Sequence, residues 1–327
     1  MLVFLVRRVL GAIVILLVIS AITFLLFFAV PGNEVAALSC GKVCTPALMD
    51  EIRRGLGLDQ PIWQQYLFYL GGIFAGRMIG DQMCEAPCFG YSFVNKQPVF
   101  DTVADRLPVT LSLAIGAVVL FLVLGVGLGM LAALRKGKLA DKLAMGFALL
   151  AGSMQIYVLA PFMLYLFVYS TDLLPRPHYV SFFDNPLDWA SGLILPWICL
   201  AFIFMAYYAR LTRSAMVDVL NEDFIRTVRA KGLSTGQVYF KHAFRGAMSP
   251  IATILGLDIA GLFAGAIITE TSFSLVGVGQ LAVNSVVASD LPMMMGVVML
   301  ASAAVVVANI IVDVVYAAID PRIKVTA

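Results

Sequence analysis

Residues Val109 to Leu134 read VTLSLAIGAVVLFLVLGVGLGMLAAL, 26 residues without one charged side chain. As a helix rising 1.5 Å per residue this stretch would reach about 39 Å, more than the ~30 Å hydrocarbon layer of a bilayer. A soluble helix needs only one apolar stripe, so a run apolar on every side points to lipid. Five further stretches pass the same test, roughly Val9 to Val30, Leu143 to Tyr169, Leu193 to Ala209, Ile251 to Phe273 and Met293 to Ala317. The composition agrees: 61% of the 327 residues are hydrophobic and 13% charged, against about 45 to 50% and about 25% in soluble domains. The sequence therefore predicts an all-α polytopic membrane protein with six transmembrane helices. A formal charge of +2 and the absence of a dense Lys/Arg block speak against a nucleic-acid binder.

Basic residues set the orientation. Arg7, Arg8, Arg135, Lys136, Lys138, Lys142, Arg210, Arg213, Arg226, Arg229, Lys231, Lys241, Arg245, Arg322 and Lys324 fall on one side, fifteen of the 22 Lys and Arg. The other side has Arg176 in a short loop and six more in the long segment between spans one and two, which would cross largely regardless of charge. The expectation is a multi-pass protein of the cell (inner) membrane with both termini cytoplasmic. Its parts are a first span over 1–32, an extracytoplasmic segment over 33–107, a five-helix core over 108–317 and a cytoplasmic tail over 318–327.

The extracytoplasmic segment reads as helix, turn, helix. Thr45 and Pro46 open the first helix, Gly55 stops it, and Gln60-Pro61 opens a second through Tyr69. Four of the five cysteines lie here as Cys40/Cys44 and Cys84/Cys88. Outside an oxidising boundary they are disulfide candidates with three possible connectivities; a four-thiolate zinc site is the alternative.

The largest cytoplasmic element, 210–249, encodes two short helices. Asn221 is the expected cap of the first, with Phe224, Ile225 and Val228 on one side, Glu222, Arg226 and Arg229 on the other, and a Glu222–Arg226 pair. Gly232 ends it. Ser234 with Gln237 has the spacing of a capping box that starts the second helix. Two turns of helix are marginal alone, so something must receive the apolar side. A lipid interface would do so, and so would a cytoplasmic partner that pushes on spans four and five.

Phe224-Ile225-Arg226-Thr227-Val228-Arg229-Ala230-Lys231-Gly232-Leu233-Ser234, followed by Lys241-His242-Ala243-Phe244-Arg245, resembles the coupling loop of the first (B-type) permease subunit in peptide/nickel-type ABC importers, the dipeptide and oligopeptide permeases. The resemblance takes in nearly the whole chain. It includes Gly55-Leu56-Gly57-Leu58-Asp59-Gln60-Pro61, Asp105-Arg106-Leu107-Pro108 before span two, Glu270, Gly277-x-Gly279 and the closing Ile319-Asp320-Pro321. In the importers' Glu-Ala-Ala motif, Arg226, Thr227 and Val228 take the Glu-Ala-Ala places and Gly232 the glycine, so the glutamate is absent; Val276 stands where a proline is common.

The resemblance implies the type I importer permease fold and a non-catalytic subunit in which Glu222, Asp223 and Phe224 to Gly232 dock an ATPase. It implies four partners: a homologous second permease, two ATPases that bind the ATP and magnesium, and an extracytoplasmic substrate-binding protein. No cofactor is expected in this chain. Peptides are the commonest cargo, with nickel chelates or glutathione-like compounds as alternatives.

Asp258 and Glu270, twelve residues apart in span five, are about 18 Å apart along a helix. They either line a polar translocation route or pair with neighbouring helices, and for Glu270 the match to the family pattern favours the route. Glycines at 125 and 129, and at 261 and 265, have the spacing of close helix crossings. His178 and His242 fall on opposite sides of the membrane, and no metal centre is expected. No phosphate loop, His-Glu-x-x-His or Gly-x-Ser-x-Gly occurs, so ATP hydrolysis is expected elsewhere. An autonomous ion-coupled carrier is the main rival, disfavoured by the lack of an internal repeat.

Overall fold

The computed structural model describes residues 2–28, 45–79 and 82–319. Among these, four helices are long and apolar enough to cross a membrane, and six crossings result if each of two sharply bent helix pairs counts as one. The chain divides into two compact units, one of Met1–Thr110 with Val276–Ile311, the other of Leu111–Leu275 with Val312–Thr326.

In the first unit, α1 (Leu2–Phe28) is a chargeless run after Arg8 that leaves most of its aliphatic side chains exposed, as a span facing lipid should. Helices α2 (Pro46–Leu56) and α3 (Ile62–Ala75) form the expected helix, turn, helix, but α2 runs through Gly55, its expected stop, to Leu56. Gly57, at φ +66°, takes the left-handed conformation just past the end of α2. Two antiparallel hairpins then follow, β1 (Arg77–Ile79) with β2 (Gln82–Cys84) and β3 (Tyr91–Ser92) with β4 (Gln97–Pro98). Strands of two or three residues are too short to show an alternating pattern, which is why the sequence did not disclose them.

One core of this unit joins Phe24, Ile52, Leu56 and Tyr69 to Leu291 and Met295. A second packs Val99 and Val103 against Val278, Leu281, Met293 and Val297. Helix α11 (Val278–Ala288) starts at Gly277, and its first N–H, on Val278, donates to Thr110 Oγ1 at 2.9 Å. Helix α12 (Leu291–Ile319) begins beside Asp290, whose carboxylate accepts from the Met293 N–H at 3.2 Å and from the Ser92 hydroxyl. Asp290 is completely buried.

Span two is longer than the sequence expectation. Helix α4 (Val99–Phe121) starts ten residues upstream of Val109, continues through a wide π turn at Leu122–Val126, and leads into α5 (Gly127–Leu134). Span three is not one helix: α6 (Leu139–Ser153) and α7 (Ile156–Leu164, with a π turn over Tyr165–Ser170) meet at 101°. Met154 and Gln155 are both extended there, at the only polar interruption of an apolar run. Span four, α8 (Pro186–Leu220), is 35 residues against the expected Leu193 to Ala209. Thr212 and Met216 are fully buried, so the helix continues for three turns beyond its apolar centre because that continuation still has a core to join.

Helix α8 is the axis of the second unit. A Cβ on Gly125 would lie 2.9 Å from the Met205 carbonyl, and one on Gly129 would lie 2.5 Å from the Ala209 carbonyl and 2.7 Å from Thr212. These two glycines therefore allow the backbones to touch. The matching expectation for span five is not met at Gly261, which faces open space within this chain. Span five is α10 (Phe244–Phe273), ended by Ser274 in the left-handed conformation.

Candidate functional site

Helix α9 (Asp223–Ala230) is the eight-residue element on which the sequence places docking. Asn221 is not its cap. The Asn221 N–H donates back to the Asp218 carbonyl and closes α8, and α9 starts after Glu222, whose extended backbone turns the chain. The expected Glu222–Arg226 pair is replaced by Asp223–Arg226, one residue closer along the chain, at 3.3 Å between exposed side chains. At the other end Gly232 adopts φ +76°, and its N–H donates to the Arg229 carbonyl, so the stop expected from the sequence is present. The capping box is also present: the Ser234 N–H donates to Gln237 Oε1 at 3.2 Å and the Gln237 N–H to Ser234 Oγ at 3.4 Å. A broad π turn over Gln237–Ala243 then feeds α10.

The apolar residues of α9 separate into two roles. Ile225 is fully buried in a seat of Ala133, Met216, Val238, Ala243 and Ala247, with Val228 packed partly against it. The chain's own helices thus receive the side that sequence reasoning assigned to lipid or to a partner. Phe224 turns outward and is 46% exposed, and Phe240 is exposed as well. Around them Glu222, Asp223, Arg226, Thr227, Arg229, Ala230, Lys231 and Gly232 are all exposed. The result is a short helix fixed from below, with charged groups of both signs and aromatic rings free on its outer surface.

A second clamp lies beside this seat, and sequence reasoning missed it. Arg213 of α8 makes a two-point ion pair with Asp141 of α6, at 2.5 Å from Nε and 2.7 Å from Nη2, and the Gly137 N–H donates to the same carboxylate at 2.9 Å. Asp141 is buried, so the α5–α6 turn and α8 are tied by a carboxylate with three donors. The only sequence signal was an acidic residue within a basic loop.

In α10, Asp258 is half-buried and accepts from the Tyr208 hydroxyl of α8 at 3.0 Å. Glu270 is fully buried, one residue after the equally buried Thr269. The structure does not bring Asp258 and Glu270 together. Cys84 and Cys88 form a disulfide in a small core with Ile79, which removes both from any thiolate metal site. Cys40 and Cys44 lie outside the described residues, and Cys199 is a buried free thiol.

Residues 1–114 match the family model described as the N-terminal part of a binding-protein-dependent transport system membrane component. Residues 125–325 match that of the binding-protein-dependent transport system inner membrane component. The chain belongs to this inner membrane component family. A putative peptide transport system permease protein of Brucella abortus is 36% identical over 318 residues, covering 97% of this chain and 98% of its own. A probable peptide ABC transporter permease protein of Sinorhizobium fredii is 33% identical, with 98% and 99% covered. The dipeptide transport system permease protein of Escherichia coli K12 is 34% identical, with 94% of each chain covered.

Ile225 and Met216 bring the buried side of α9 directly against α8.

Proposed function

We propose that this chain forms one half of the translocation pathway of an ATP-driven importer for peptides and transmits ATPase closure through α9. The two-sided construction of α9 carries this reading: its buried Ile225 anchors it to α8 and to the residues that enter α10, while Phe224 and the surrounding charges remain free for a partner. The family requires a binding protein in its transport systems, and relatives aligned over nearly their whole length carry peptide or dipeptide transport names. In this reading the chain lies in the cell membrane with both termini cytoplasmic, so α9 faces the ATPases. ATP and magnesium are held by two partner ATPases. A second permease completes the pathway, and an extracytoplasmic binding protein delivers the peptide.

Asp258, bonded to Tyr208, contributes a polar group where α8 meets α10, and Glu270 has a structural or pathway role within α10. The test is purification of the complex from the native membrane, identification of its subunits by mass, and reconstitution in vesicles. Di- and oligopeptides with the binding protein are expected to stimulate ATP turnover. Solute movement by the isolated chain without nucleotide would overturn the proposal.

A further inference from the structure

Helix α3 has no charged side chain from Ile62 to Ala75. Its inner side lies on α1, where Tyr66 and Tyr69 stack obliquely on Phe24 with ring centroids 5.4 and 5.9 Å away. The Tyr66 hydroxyl lies 2.8 Å from Ser20 Oγ and donates to the Leu17 carbonyl at 3.4 Å. These residues precede the end of α1 at Phe28 by eight and eleven positions, about 12 and 16 Å along its axis. One leaflet of hydrocarbon is about half of ~30 Å deep, so the contact lies far below the end of the span. At that depth a phenol has no water, and α1 itself supplies its partners.

The outer side of α3 is equally apolar. Trp63, Leu67, Gly71 and Phe74 recur at i, i+4, i+8 and i+11 and form one stripe. Trp63 is 60%, Leu67 58% and Phe74 83% exposed, and Gly71 has open space beside it. The next hairpin adds Met78 and Met83, cross-strand partners that are both exposed. Apart from Gln64 and Gln65 in its first turn, α3 is thus apolar on both sides, and such a helix does not face water. Helix α2 is the contrast: it buries Ile52 and Leu56 and carries Asp50, Arg53 and Arg54. On α1 the residues Ile22, Leu25 and Leu26 are exposed near the same end, so the stripe on α3 extends a surface that already meets lipid.

From this geometry we infer that α3 is embedded in the leaflet at the carboxyl end of α1, with Trp63, Leu67 and Phe74 against acyl chains. The segment between spans one and two is then only partly an aqueous cap: α2 stands in water and α3 forms a membrane-embedded shelf. The inference goes beyond the transport reading and does not depend on the substrate.

Photo-crosslinking tests it in the complete transporter in its own membrane. The photoreactive residue p-benzoylphenylalanine replaces Leu67 in one variant, Phe74 in a second and Leu26 in a third, the last being the lipid-facing reference on α1. After irradiation the chain is separated and weighed. The expected result is a mass gain of one phospholipid at positions 67 and 74, as at 26, with and without the binding protein. A lipid adduct at 26 with none at 67 and 74 overturns the inference. Crosslinks from 67 and 74 to another subunit or to the binding protein overturn it in favour of a protein partner.

Discussion

Replacing Ile225 by alanine removes the one α9 side chain that is wholly enclosed by this chain. Truncations of this kind in a packed site cost about 2 to 5 kcal/mol, the transfer of the lost atoms plus the cavity left behind. Four of the five buried residues around it are Ala133, Val238, Ala243 and Ala247, small or stiff side chains that cannot swing in to fill the gap, so the cost should not fall far below that range. Helix α9 has only eight residues and no capping side chain, and it cannot absorb such a loss by itself. The loss should therefore appear as local opening of 221–232 rather than as global unfolding. At 1.4 kcal/mol per decade the opening constant rises by about 30- to 4,000-fold. Amide exchange of the assembled complex reads this directly: α9 amides accelerate while those of α8 near Tyr208 do not. Peptide-stimulated ATP turnover should fall with it. Phe224→Ala is the partner experiment, because an exposed ring contributes little to the fold; exchange in α9 should stay unchanged while turnover falls. Unchanged α9 exchange in Ile225→Ala, or equal acceleration in both variants, would refute the two-sided account of this helix.

Other perturbations give distinct signatures. Gly129→Ala pushes a methyl group to within 2.5 Å of the Ala209 carbonyl, so a fall in the thermal midpoint of the detergent-solubilised protein is expected, larger than for Gly127→Ala, which meets nothing. Arg213→Ala removes both side-chain donors from the Asp141 carboxylate and should lower the thermal midpoint, and adding Asp141→Asn should recover part of that; simple additivity in the double variant would count against the clamp. His178 donates to the Arg176 carbonyl at 2.9 Å and to Asp188 at 3.0 Å when protonated, and these raise its pKa above the ordinary histidine value, the carbonyl first and the carboxylate next. Its contribution is fully present below about pH 6.5 and is lost as the pH rises through the raised value. Exchange in the α7–α8 loop should accelerate over that window, and His178→Gln should flatten the response.

The sequence discloses what is local. The Gly232 stop, the Ser234–Gln237 box and the α2–α3 helix pair each depend on residues within a few positions of one another, and the structure has all of them. Asn221 was misplaced because the end of α8 and the start of α9 compete for the same residues, and the packing of Met216 decides in favour of a longer α8. The break at Met154 and Gln155 was hidden inside an apolar run whose composition suits one long span equally well. The seat of Ile225 could not be read at all, because Ala133 and Ala247 come from distant parts of the chain and are ordinary alanines in isolation.

The 35-residue continuity of α8 has a mechanical result. From Leu200 to Leu220 it is an unbroken hydrogen-bonded rod about 30 Å long, stiff on the scale of any motion α9 could impose. A tilt introduced at Met216 therefore arrives at Cys199 without winding or stretching the backbone on the way. The first point able to yield is Pro196, whose ring deletes one rung of the ladder. A stroke applied at the Met216 end would thus become a swing about Pro196, and spin labels on either side of Pro196 would register it as a change of angle.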